Sequence, residues 1–141
     1  MTIFQVYTDA SSRYKAVIKD EGKKVYLSSV GAVIKDGHEI VGTISKRVGF
    51  QDSNYAEFLA MYKACEYLIH KGVTKVDFHV DNINLVLMVN QGIISKKPKL
   101  QKMQHRILDC LTQFDHCTVT WIPRRENHEA HMMAANAFRV G

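Results

Sequence analysis

Three patterns along the chain predict an α/β fold, a mixed five-stranded sheet with helices on its faces. Early in the sequence, two alternating apolar stretches are joined by Lys35-Asp36-Gly37-His38, the turn chemistry of an antiparallel hairpin. Further on, strand-length and helix-length apolar patterns alternate, which joins same-direction strands through helices and requires right-handed crossovers. Two of the strands end on an acid, Asp9 and Asp81. With 141 residues, 46% of them hydrophobic and 2 of them prolines, the chain has the length and apolar content of one domain over residues 1–141, and disorder is excluded.

Residues 3–9 alternate as a strand ending at Asp9, and residues 27–35 and 39–48 form the hairpin. The segment 10–26 has two readings, an extension of the hairpin through Val17-Ile18 and Val25-Tyr26, or a long basic loop. Ser53 or Asp52 can cap a helix from Asn54 to about Lys71, closed by Gly72. Its residues Tyr55, Phe58, Leu59, Tyr62, Cys65, Leu68 and Ile69 recur at helical spacing and form one buried stripe. Residues 74–80 are a strand ending at Asp81, followed by a helix over 82–90 that Gly92 stops. Pro98 starts a further helix with Leu100, Met103, Ile107, Leu111 and Phe114 on one face. Residues 118–122 are the last strand, and 126–138 the last helix, giving the order βββαβααβα.

The longest apolar run, Leu85 to Val89, is too short to cross a bilayer, and Met1-Thr2-Ile3-Phe4 leads directly into a strand pattern. The expectation is a soluble protein with no membrane association. Cys65, Cys110 and Cys117 are an odd count without a CxxC pair, which indicates neither a disulfide framework nor a zinc site and suits the cytoplasm. A net charge of +5 is compatible with a polyanionic partner. The positive residues cluster: Lys96, Lys97, Lys99, Lys102 and Arg106 fall in a stretch without acids, and Arg13, Lys15, Lys19, Lys23 and Lys24 lie near the start. Each cluster also reads as an ordinary solvated face.

In sheets of this kind reactive groups gather at the carboxyl ends of the parallel strands, where Asp9 and Asp81 stand. Singly, each reads as a turn or cap residue. Glu57, in the first turn of the long helix, reads as an acid favoured by the helix dipole, although apolar Ala56 and Phe58 flank it. Three converging acids repel one another unless cations lie between them, and hard oxygen ligands suit Mg²⁺. A pair of such ions suits phosphodiester hydrolysis.

Tyr-Thr-Asp-Ala-Ser at 7–11, Asn-Tyr-Ala-Glu-Phe-Leu-Ala at 54–60, Val-Asp-Asn at 80–82 and Trp-Ile-Pro-Arg-Arg-Glu-Asn at 121–127 resemble ribonuclease H of type 1, in that family's order and over nearly the whole chain. The resemblance implies the three-layer ribonuclease H fold. It implies an endonuclease that cuts the RNA strand of RNA–DNA hybrids by a two-metal-ion mechanism, leaving a 3′-hydroxyl and a 5′-phosphate. It makes Asp9, Glu57 and Asp81 matches to metal-binding carboxylates, with Mg²⁺ or Mn²⁺ as the ions. It places Ser53 and Asn54 against the minor groove and its 2′-hydroxyls, and Asn82 near the substrate. Arg124 and Arg125 either hold a phosphate or are solvated. No obligate protein partner is indicated.

The chain departs from the family pattern in the last helix, where His131 stands at the position of a fourth acid. Three readings follow. His131 ligates a metal through neutral imidazole, which suits Mn²⁺; or it sits beside the metal and handles protons; or the chain is a catalytically impaired nucleic-acid-binding module. Glu129 does not replace the acid, because two residues turn a helix by about 200°. The loop before this helix lacks the histidine many members carry there. The basic protrusion of some relatives is reduced to residues 92–99, so hybrid binding should show a shallow salt dependence. Trp121 reads as a core aromatic of the last strand.

Overall fold

The computed structural model describes residues 2–139. Strands β1 (Phe4–Asp20), β2 (Lys23–Asp36) and β3 (Glu39–Gln51) form an antiparallel meander. Helix α1 (Ser53–His70) leads to β4 (Lys75–Val80), α2 (Ile83–Gln91), α3 (Pro98–Leu111), β5 (His116–Trp121), a short 3₁₀ turn (Arg124–Glu126) and α4 (His128–Asn136). The sheet order is β3-β2-β1-β4-β5, with β4 parallel to both β1 and β5.

The open question over 10–26 resolves as strand. β1 continues to Asp20 and pairs with β2 out to Asp20↔Lys23, with a bulge between Arg13 and Val17. Glu21 and Gly22 close this arm with φ of 50° and 79°, the two positive values a tight hairpin turn demands. Exposed residues such as Tyr14, Val17 and Ile18 blur the alternation there, because water reaches much of the arm.

Residues Ser28 to Ile34 of β2 are all buried because both sheet faces are covered. On one face Val30, Ala32 and Ile34 join Val6, Val76, Phe78 and Val80 against Phe58, Met61, Ala64, Cys65 and Leu68 of α1. On the other, α4 lies directly on β2. A Cβ on Gly31 would come 2.3 Å from the Ala134 nitrogen and 2.4 Å from the Ala130 oxygen, so only glycine permits this approach. Ser29 Oγ donates to Ala134 O at 2.5 Å, and Ser45 Oγ to Met133 O at 2.6 Å. Helices on one face, the sheet, and α4 on the other make three layers.

Several boundaries differ from the sequence expectation. Asp52 is the N-cap of α1, accepting from Tyr55 N at 3.0 Å, so Ser53 is already helical. Helix α3 ends at Leu111, and Phe114 lies beyond it, still buried, edge-on to Phe78 with ring centroids 6.4 Å apart. The expected helix over 126–138 splits, since Arg124–Glu126 form the 3₁₀ turn and α4 begins at His128. Trp121 is not a core residue: it is 49% exposed at the end of β5, whereas Val119 fills the core position of that strand.

Candidate active site

Asp9 is not at a strand end, because β1 runs through it. What ends there is the parallel ladder, whose last pair is Thr8↔Val80. Asp9 is the first residue past that pair on β1, and Asp81 the first past it on β4. Where two parallel strands stop together, their next residues lie side by side, and the sheet delivers two carboxylates to one point. Glu57 reaches the same point from α1. It lies just past the first turn rather than in it, since α1 begins at Ser53 and its first turn holds no acid. The helix dipole therefore does not account for it.

Asp9, Glu57 and Asp81 each offer an oxygen within 4.8 Å of the others, a group able to hold a metal ion. Burial pushes Glu57 well above the usual carboxylate range, and repulsion from Asp9 and Asp81 adds to the shift. Asp9 is raised by burial and by Asp81, against the favourable Ala10 amide and His131. Among the described residues Glu57 has no cationic partner, and Asp9 has only the half-exposed His131. An oxygen-only donor set of this kind fits a hard divalent cation, which would relieve both effects.

His131 Nδ1 lies 3.1 Å from Asp9 Oδ2, and the ring is half exposed. With Asp9 ionised, Nδ1–H donates and Nε2 is left without a protein partner among the described residues. His131 is outside the group of three carboxylates. Glu129, as its helical position implies, points elsewhere and pairs with Lys35 at 2.5 Å.

Asn127 is the residue sequence reasoning missed. It is buried, and its Nδ2 donates to Thr8 O at 2.8 Å and to Asp81 Oδ2 at 3.3 Å. It thus ties the start of α4 to both strands of the carboxylate pair. Among the described residues its Oδ1 is buried without a hydrogen-bond partner, a further oxygen facing no donor. The available signal was its place at the head of the Asn-x-x-Ala stretch.

Of the expected contact residues, Asn82 follows Asp81 directly and is joined to Asn54. Asn82 caps α2 by accepting from Asn84 N at 2.9 Å, and its Nδ2 donates to Asn54 Oδ1 at 3.2 Å. Ser53 is half-buried in the first turn of α1. Arg124 and Arg125 are exposed on the 3₁₀ turn. The two basic clusters of the sequence meet: Lys23 and Lys24 of the β1–β2 arm face Lys97 and Lys99 across a cleft that includes Asn54, with Asp20, Glu21 and Asp52 interleaved.

Sheet order, helix placement and the convergent acids define a ribonuclease H-like protein. A family model described as reverse transcriptase-like matches residues 16–137, and the chain belongs to that ribonuclease H-like family. The match begins past Asp9. Among solved structures, the chain is similar to RNase H1 from the halophilic archaeon Halobacterium salinarum NRC-1, at 24% identity and TM-score 0.85 over 98% of each chain. It is also similar to the N-terminal RNase H domain of rv2228c from Mycobacterium tuberculosis, at 20% identity and TM-score 0.82 over 95% of this chain and 97% of that one. LC11-RNase H1, solved in complex with an RNA/DNA hybrid, matches at 22% identity and TM-score 0.82 over 96% of each chain. At these identities the similarity establishes the fold. No curated protein sequence matches the chain.

Proposed function

We propose that the protein is a metal-dependent endonuclease that hydrolyses the RNA strand of RNA–DNA hybrids. The observation that carries this reading is the convergence of Asp9, Glu57 and Asp81 within 4.8 Å at the end of the parallel ladder of a ribonuclease H fold. The complex of LC11-RNase H1 with an RNA/DNA hybrid supports the substrate class.

Asp9, Glu57 and Asp81 would hold Mg²⁺ or Mn²⁺, as two ions when substrate is present. When bound, the ions supply a hydroxide at neutral pH and stabilise charge on the phosphorus centre and leaving oxygen. Hydrolysis breaks the P–O3′ bond, leaving a 3′-hydroxyl and a 5′-phosphate. Asn127 fixes Asp81, and His131 fixes Asp9 through Nδ1, leaving Nε2 to exchange a proton with solvent. This geometry favours His131 as a positioning and proton-handling residue over a metal ligand. Ser53, Asn54 and Asn82 face the minor groove, where 2′-hydroxyls distinguish RNA from DNA. Arg124 and Arg125 hold backbone phosphate. We read residues 1–141 as one such nuclease domain, and the three free cysteines suit the reducing cytoplasm. No described helix is long and apolar enough to cross a membrane.

A catalytically impaired nucleic-acid-binding module is the second reading, favoured by the histidine at the position of an acid. Cleavage of labelled RNA–DNA hybrid, double-stranded RNA and single-stranded DNA, each with Mg²⁺, Mn²⁺ or chelator, separates the two. The nuclease reading predicts metal-dependent cutting of the hybrid's RNA alone. Binding that survives chelator without any cutting supports the module.

A further inference from the structure

The β1–β2 arm holds five basic side chains between Arg13 and Lys24, against two acids, Asp20 and Glu21. Its antiparallel register sets Lys19 directly opposite Lys24 and Val17 directly opposite Tyr26. Partners across a ladder share a face, and that face recurs every two residues, so both pairs stand on one side of the arm. Two like charges directly opposite one another destabilise a hairpin. Among the described residues neither lysine has a salt-bridge partner to offset this. The register break after Arg13 leaves Tyr14, Lys15 and Ala16 without partners on β2. At this bulge Tyr14 is 66% exposed, and its ring meets that of Tyr26 edge-on with centroids 4.8 Å apart. The base of the arm is held, since the Arg13 guanidinium lies 4.4 Å over the Phe138 ring.

An arm shaped for stability alone would set an acid opposite each lysine, as the neighbouring pair does with Asp20 opposite Lys23. A polynucleotide resolves the mismatch. Its phosphates relieve the repulsion between Lys19 and Lys24, and a base covers the open ring of Tyr14. Inside a duplex the faces of a base are taken by its neighbours, so only an unpaired base can cover that ring. We propose that this face of the arm, Tyr14 with Tyr26 and Lys19 with Lys24, is a second nucleic-acid site that binds single-stranded DNA or RNA. It needs neither a metal nor the carboxylates, so it goes beyond the nuclease reading and does not depend on it. The cleft that Lys24 borders also includes Lys97, Lys99 and Asn54, which gives a strand leaving the arm a basic path toward α1.

The experiment titrates labelled single strands of about 15 nucleotides, one DNA and one RNA, with the protein in chelator, and reads label anisotropy. Tyr14→Ala should weaken binding about tenfold, and Tyr14→Phe by about twofold or less. The double variant Lys19→Gln, Lys24→Gln should weaken binding and reduce the logarithmic salt slope by about 1.4, the share of two phosphate contacts on a single strand. Lys19→Glu sets an acid opposite Lys24, so it should keep or raise the melting temperature while lowering affinity about tenfold or more. That opposition of stability and affinity is what damage to the arm would not produce. Neither strand bound at about 100 μM protein in low salt, equal losses in the Tyr14 Ala and Phe variants, or an unchanged salt slope in the lysine variant would overturn the proposal. So would a Lys19→Glu protein that binds as tightly as the unsubstituted one. If the protein cuts hybrid but binds no single strand, the arm site alone fails. If it binds single strands through the arm but cuts no hybrid in Mg²⁺ or Mn²⁺, the arm site stands and the nuclease reading fails.

Discussion

Burial and the neighbouring carboxylates hold Glu57 well above its usual range, and Asp9 moves in the same direction. Acids raised in the folded state keep protons that the unfolded chain releases near pH 4. Their contribution to stability is therefore fully present below about pH 4 and is lost as pH rises through the raised values. Without metal, melting temperature should fall between pH 5 and pH 7.5 more steeply than in Glu57→Gln, which should melt on the order of 3 °C higher at pH 7.5. Saturating Mg²⁺ should remove most of that difference, and parallel curves in chelator would contradict the repulsion. The same substitution should lower hybrid cleavage by about a hundredfold or more. His131→Asp would add a fourth acid against Asp9, so it should lower the melting point in chelator and increase the stabilisation by Mg²⁺. Asp9, Glu57 and Asp81 were legible because motif order selects them, although β1 runs on through Asp9. Asn127 was not, because its value lies in two contacts, to Thr8 and Asp81, across gaps of 119 and 46 residues.

Helix α4 carries both Asn127 at its cap and His131, and it reaches the site by lying on Gly31. Gly31→Ala would drive a methyl group into backbone atoms that cannot yield. It should cost about 1–3 kcal/mol in urea unfolding and lower cleavage together with stability, because α4 must lift. At the tip of the β1–β2 arm, Glu21 occupies a left-handed conformation with φ 50°. Glu21→Gly should stabilise the protein by about 0.5–1 kcal/mol, since glycine meets no Cβ penalty there. The elements themselves were largely readable from periodicity, but this arm was ambiguous because alternation needs a dry face and the arm is mostly wet. Trp121 misled because Val119 fills the core position of the strand, whereas Trp121, its last residue, is left half exposed.

Across the whole molecule, the net charge of +5 becomes informative only through its placement. Folding brings the arm's Lys23 and Lys24 to Lys97 and Lys99 near Asn54, and leaves Arg124 and Arg125 exposed on the 3₁₀ turn that precedes Asn127. The acids interleaved in the cleft keep the number of neutralised phosphates small, so the logarithmic salt slope of hybrid binding should be near −3. The fold follows from the order of elements, whereas the chemistry depends on whether three acids and a histidine can still do the work of four acids. The most direct test is incubation of a hybrid with end-labelled RNA in Mg²⁺ or Mn²⁺, using the unsubstituted protein and Asp9→Asn side by side. The carboxylate account predicts RNA fragments with the unsubstituted protein in at least one metal, none in chelator and none with Asp9→Asn. Intact RNA at high protein concentration in both metals, or cutting that persists in Asp9→Asn, would contradict it.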